Sequence, residues 1–322
     1  MSSCLEVSRL TKSFAVPVLR DIRLRIKANT IHGLVGENGA GKSTLINIIS
    51  GLLDSDGGSV KLNGRSFKPK NRMQSLDQGV ALASQELSLI DNLSVAENIF
   101  LSTLPTKNYK IDDRELRKKA KELLDLVGLE QSLLEVPAGN LSLAEKQLVE
   151  LAKSLSLPID RTRLLILDEP TAALNSFQAD RLHNILLDRV KNGVSILYVS
   201  HRLEDVLFVC DEVSVLHKGE IKLTSDTDHL TSKALVEVMT GREHQRHNDD
   251  EPRAYGKVKL EVKNLSTREL PDPVSLACHN GEILGVAGLS GSGRSELLHA
   301  MFGFGLERKG SVILYDSEQR SE

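Results

Sequence analysis

The sequence predicts an α/β domain built on a mostly parallel sheet, with antiparallel β structure and a helical insert, followed by an incomplete second copy of itself. Three observations carry this. Short apolar runs of strand length alternate with helical stretches through residues 1–240, while 91–157 reads as mostly helical. A glycine-rich octapeptide sits between one such strand and a helix. An internal repeat runs at a fixed spacing of 252 residues: Leu5-Glu6-Val7 and Leu10 recur as Leu260-Glu261-Val262 and Leu265. At the same spacing Gly51 matches Gly303, Gly58-Ser59-Val60 matches Gly310-Ser311-Val312, and Lys42 falls opposite Arg294. The second copy begins near Lys257 and stops at residue 322, far short of the first. Between them, 241–256 (GREHQRHNDDEPRAYG) is polar and poor in apolar residues, so it reads as a linker.

Taken in order, Thr30–Val35 is an apolar strand and Lys42–Ser50 the helix after it. In the helical insert Leu116, Ala120, Leu123 and Val127 step by four, three and four residues. Leu148, Leu151 and Leu155 do likewise, which puts an apolar stripe on one face of each helix. Leu164–Leu167 and Ser195–Val199 have the β-rich, unbroken apolar character of strands buried on both faces.

The composition narrows the function. The 322 residues suffice for about two domains, with 26% charged and 40% hydrophobic residues. A formal net charge of -3 offers no basic surplus to neutralise phosphates, so no nucleic-acid partner is expected. Aromatics at 3%, without tryptophan, supply no stacking platform for bases. No apolar run approaches the length of a bilayer span and the N-terminus lacks a signal pattern; a cytoplasmic chain is expected, meeting a membrane only through a partner. Cys4, Cys210 and Cys278 share no metal-ligand or redox spacing.

Gly36-Glu37-Asn38-Gly39-Ala40-Gly41-Lys42-Ser43 fits G-x-x-x-x-G-K-[ST] in the strand-to-helix setting that the motif requires. Its glycines let backbone N–H groups curl round phosphates, and the helix N-terminus adds its positive dipole end. Lys42 is expected to reach the β- and γ-phosphates of ATP, Ser43 to bind Mg²⁺, and Thr44 to meet the α-phosphate. Leu164–Leu167 runs into Asp168 and Glu169. Below a phosphate loop this pair reads as a magnesium-organising aspartate and a general base that polarises the attacking water.

With these motifs in place the chain resembles the ATP-binding-cassette family of P-loop ATPases along essentially its whole length. The resemblance implies that Phe14 stacks on adenine, that Gln85 senses Mg²⁺ and abuts a membrane subunit, and that His201 contacts the γ-phosphate. It makes Leu141–Gln147 the signature segment that precedes a helix, with Ser142 at the nucleotide, and Ala172–Asn175 the loop crossing a dimer interface. The stretches SQELSLIDNLSVAENIFL, LAEKQLVELAKSL and LYVSHRLEDV are similar to the double-domain ATPases of bacterial sugar importers. That branch implies membrane permease subunits, a periplasmic sugar-binding protein and a peripheral position on the cytoplasmic face of the inner membrane. The sugar itself is implied only as a class.

Three departures qualify the likeness. Leu143 and Ala144 replace the two signature glycines and Glu145 the glutamine, so Ser142-x-x-Glu145 also reads as a helix capping box. The second loop, Gly288-Leu289-Ser290-Gly291-Ser292-Gly293-Arg294-Ser295, carries a planar guanidinium where a compact ammonium belongs. It is expected to bind nucleotide weakly or to serve as a plain strand–turn–helix. The chain also reaches its end before a second signature, so catalysis within one molecule is not expected; two first domains pairing as a homodimer remain open. A nucleotide-binding chain without turnover, or a soluble cassette ATPase with no membrane partner, are the alternatives.

Overall fold

The computed structural model describes residues 2–85, 87–107, 110–241, 255–288, 292–304, 308–315 and 320–321. It forms two compact units, Met1–His244 and Gln245–Glu322. Residues 242–254 of the expected linker, Leu289-Ser290-Gly291 of the second loop, and Glu86 lie outside the described residues.

The first unit opens with β1 (Ser3–Ser13) and β2 (Pro17–Lys27), an antiparallel pair with Val7 opposite Leu24. Their period-two pattern buries Leu24 and Ile26 while Arg23 and Arg25 face out. β3 (Ile31–Val35) is buried throughout and leads into α1 (Lys42–Ile49). β4 (Gly57–Leu62) and β5 (Arg65–Ser66) complete an antiparallel sheet of order β2-β1-β4-β5. α2 (Arg72–Asp77) then precedes β6 (Val80–Ala83).

The insert holds α3 (Val95–Phe100), α4 (Asp113–Val127) and α5 (Leu143–Ser154). A short antiparallel pair, β7 (Thr106–Lys107) and β8 (Lys110–Ile111), interrupts the expected helical run. In α4 the buried stripe is Leu116, Ala120, Leu124 and Val127. Leu123, placed on that stripe from its spacing, is only half-buried at the flank; both lie within the broad apolar arc of a core-facing helix.

The chain returns to the sheet with β9 (Leu164–Asp168), then α6 (Ser176–Lys191), β10 (Ser195–Val199), α7 (Leu203–Val209), β11 (Glu212–His217), β12 (Glu220–Asp226) and α8 (Ser232–Thr240). The central sheet runs β12-β11-β3-β10-β9-β6, all parallel except the β11–β12 pair. Alternate residues of each strand feed two cores. Leu34, Ile166 and Leu197 pack toward the antiparallel sheet and α1, while Val35, Leu167 and Tyr198 pack toward the helices. With both faces covered, the strands are continuous apolar runs.

The second unit contains β13 (Val258–Thr267), β14 (Val274–His279), α9 (Arg294–Phe302), β15 (Arg308–Tyr315) and β16 (Arg320–Ser321). Its sheet order, β14-β13-β15-β16, reproduces that of β2-β1-β4-β5. The 252-residue repeat is visible in the backbone as well. Gly58 and Gly310 both adopt left-handed φ, and a Cβ on either would strike a main-chain carbonyl at 2.4 or 2.3 Å. Residues 282–288, the counterpart of β3 and its flank, pair with no strand among the described residues. Ile283 there is 88% exposed.

Candidate active site

β3, β9 and β10 are neighbours, and their carboxyl ends open at the same edge of the sheet. This edge is where α/β sheets bind ligands, because loops and helix N-termini converge there. At the end of β3, Gly36 is buried, and a Cβ on it would lie 2.2 Å from the Leu216 carbonyl oxygen. Only glycine lets the chain turn that close to β11. Gly41 enters α1 at φ 110°, a left-handed backbone. Between them Ala40 is buried, while Glu37, Asn38 and Gly39 face solvent.

Lys42 is buried, and its ammonium donates to the carbonyl oxygens of Gly36 at 2.6 Å and Glu37 at 3.0 Å. Burial lowers its pKa, opposed by the charges of Glu169 and Asp168. Ser43 is exposed and Thr44 half-buried, so the Ser43 hydroxyl stands open at the first turn of α1.

Asp168 closes β9. Burial and the adjoining Glu169 push its carboxyl up to about 6, with Lys42 pulling the other way. Two neighbouring acids facing one ammonium leave a local excess of negative charge. Glu169 itself takes a left-handed φ of 54°, uncommon for a side chain of its size, and its N–H donates to Val199 O at 2.8 Å. The side chain is 8% exposed, and its Oε2 lies 2.7 Å from Nδ1 of the exposed His201, which follows β10. Gln85, after β6, is exposed and lines a narrow cleft with Asp168 and Glu169.

Lys42, Gln85, Asp168, Glu169 and His201 are thus brought to one edge. Phe14 and Ser142 are placed otherwise. Phe14 occupies the turn between β1 and β2, 61% exposed, with the Lys12 ammonium 5.6 Å from its ring centre. Ser142 caps α5: its hydroxyl accepts from Glu145 N at 3.3 Å and its N–H donates to Glu145 Oε2 at 2.7 Å. The capping-box reading therefore describes its present bonds.

α5 also contributes Gln147, the last residue of the expected signature segment, and two residues to which the sequence reading gave no role, Glu150 and Lys153. Gln147 Oε1 accepts from Ala173 N at 3.1 Å, in the loop after Glu169. The buried Glu150 accepts from Ser88 N at 3.2 Å and Oγ at 2.8 Å, in the loop after Gln85. Lys153 donates to Ser88 O at 2.8 Å. Gln147, Glu150 and Lys153 are three residues apart, which places them along one helix face; that spacing was the available signal.

Residues 19–172 match the family model for the ABC transporter. This span holds the phosphate loop, Gln85 and the Asp168-Glu169 pair. The first unit has the fold of an ATP-binding cassette. The ribose import ATP-binding protein of Chromobacterium violaceum is 38% identical over 96% of this chain and 61% of its own length. The arabinose import ATP-binding protein of Vibrio parahaemolyticus is 37% identical over 97% and 62%. The galactose/methyl galactoside counterpart of Escherichia coli is 32% identical over 98% and 62%. The chain therefore spans about three fifths of the relatives it matches. A nucleotide-free ATP-binding cassette of known structure is 25% identical with a TM-score of 0.64, covering 73% of this chain and 98% of that one. No helix among the described residues is long and apolar enough to cross a membrane.

Proposed function

We propose that the chain is the ATP-hydrolysing, energy-coupling subunit of a bacterial importer, with a monosaccharide as cargo. The main support is the convergence of Lys42, Asp168, Glu169 and His201 at one edge of the sheet, beside a loop that only glycine at Gly36 permits. The import proteins for ribose, arabinose and galactose named above support the cargo class. On this reading residues 1–240 form the complete nucleotide-binding domain with 91–157 as its helical subdomain. Residues 241–256 are the linker, and 257–322 belong to a second domain.

The loop N–H groups of Gly36–Ser43 and the α1 N-terminus cradle the phosphates. Lys42 exchanges its carbonyl partners for the β- and γ-phosphates, and Thr44 meets the α-phosphate. Phe14 stacks on adenine from its exposed turn. Glu169 accepts a hydrogen bond from water and orients it in line with the γ-phosphorus. The water oxygen bonds to the γ-phosphorus as its proton passes to Glu169, the P–O bond to the β-phosphate breaks, and ADP and inorganic phosphate result. His201, held against Glu169, contacts the γ-phosphate. The open Ser43 hydroxyl, Gln85 and Asp168 offer oxygen donors, and the unbalanced acid charge at Asp168 fits a divalent cation. These residues would hold Mg²⁺, which prefers one or two carboxylates plus substrate phosphates and supplies charge neutralisation when bound.

Permease subunits would dock near Gln85, with a periplasmic sugar-binding protein beyond them. A second reading, nucleotide binding without turnover, is favoured by one observation. Ser142 is engaged in its own helix cap, with Leu143 61% exposed beside it, so two such faces meet a partner's γ-phosphate poorly. Phosphate release at increasing protein concentration, with Lys42→Ala as the blank, decides between them. A specific rate that climbs with concentration supports paired, working first domains. ATP binding with no turnover at any concentration supports the second reading and overturns hydrolysis by this chain.

A further inference from the structure

Glu169 and His201 come from different strands, so their 2.7 Å contact depends on how the loops after β9 and β10 are held together. Two side-chain interactions cross from the loop after β9 to the segment after β10, and a third braces that segment internally. The hydroxyl of Thr171, fully buried, donates to Asp205 Oδ2 at 2.7 Å. The Arg202 guanidinium donates through Nη1 to the Thr171 carbonyl at 3.1 Å. Its Nε lies 3.5 Å from the same Asp205 Oδ2. Thr171, Arg202 and Asp205 thus close a triangle in which each member touches the other two. Thr171 lies two residues after Glu169, and Arg202 immediately follows His201.

We infer that Thr171, Arg202 and Asp205 form a clamp that positions Glu169 and His201 for the reaction without touching its atoms. Glu169 holds a left-handed backbone, a strained conformation that persists only where its surroundings over-determine it. Upstream, the Glu169 N–H is tied to Val199 O. Downstream, the clamp is the tie, supplemented by Gln147 on Ala173. The side chain of Asp205 is only 14% exposed, so its hydrogen bond from the Thr171 hydroxyl is little weakened by water, while the half-exposed Arg202 adds an ion pair that water screens. Freed of the clamp, the loop after Glu169 relaxes and the carboxylate drifts. A displacement of about 1 Å at such a group lowers turnover by roughly 100-fold.

The inference rests on the reading of the site as an ATPase, and the test separates the two. Thr171→Val keeps the shape and removes the hydroxyl, Thr171→Ser keeps the hydroxyl, and Asp205→Asn removes the charge. Amide exchange of segments 169–175 and 200–206 is measured in each full-length variant, alongside kcat and KM for ATP. The clamp requires faster exchange in both segments for Thr171→Val and Asp205→Asn, with wild-type exchange for Thr171→Ser. It also requires kcat to fall on the order of 10- to 100-fold at unchanged KM, and the Thr171→Val/Asp205→Asn double variant to be no worse than the poorer single. Wild-type exchange in both segments for Thr171→Val overturns the clamp whatever the rate does. Unchanged kcat despite faster exchange overturns its positioning role. A wild-type chain with the required exchange pattern but no turnover leaves the clamp standing and overturns the ATPase reading instead.

Discussion

At the scale of single residues, the site depends on close backbone approaches and on buried polar groups. Gly36→Ala places a methyl carbon 2.2 Å from a fixed main-chain oxygen. It should abolish nucleotide binding and lower stability by on the order of 1–3 kcal/mol, as overpacking does; fluorescent ATP-analogue titration and urea melts check both. His183 makes a second residue-scale case. It is 4% exposed, packs against Tyr198 and Phe208, and neither ring nitrogen has a partner among the described residues. Burial lowers its pKa from 6.5, opposed by Asp205 and Asp180. The unfolded chain then takes up a proton first as pH falls through 6.5, so this residue removes stability below that value. Urea melts at pH 7.5 and 5.5 should show a smaller acid loss for His183→Leu than for the wild type. An equal loss would contradict the assignment.

The phosphate-loop residues and the Asp168-Glu169 pair were legible in the sequence because contiguous motifs encode contiguous geometry. The ties of Thr171 to Arg202 and Asp205, and of Gln147 to Ala173, were not, because they span 31, 34 and 26 residues and only the fold brings the partners together.

Among elements, α5 joins the loop after Gln85 to the loop after Glu169 through Glu150, Lys153 and Gln147. Glu150→Ala deletes two hydrogen bonds to Ser88 from a buried position. It should cost on the order of 1–3 kcal/mol in urea melts, with faster amide exchange around Ser88. Loss of stability without any change at Ser88 would argue that Glu150 serves α5 alone. The strands were legible from their unbroken apolar runs, and α1 within one residue of its C-terminus. The β7–β8 pair escaped notice because each strand has only two residues, too few to display a period. The shift from Leu123 to Leu124 on α4 reflects a helix wide enough to bury either of two adjacent leucines.

For the whole molecule, the repeat was legible in spaced glycines and in Leu-Glu-Val, and the two antiparallel sheets share one strand order. Exposure in the second unit follows from residues 282–288, which pair with no strand among the described residues. Among the described residues its buried core cluster is Val262, Leu265, Leu270, Leu297 and Ala300, while Ile283, Phe302 and Phe304 are exposed. So small a core gives little stability. Amide exchange in 258–315 should therefore outpace that of β3, β9 and β10, and equal protection would contradict this picture. The central claim, that Glu169 drives turnover at the first phosphate loop, is tested most directly by Glu169→Gln with MgATP. The expected result is wild-type ATP affinity with phosphate release lost, and a variant that releases phosphate at the wild-type rate would contradict it.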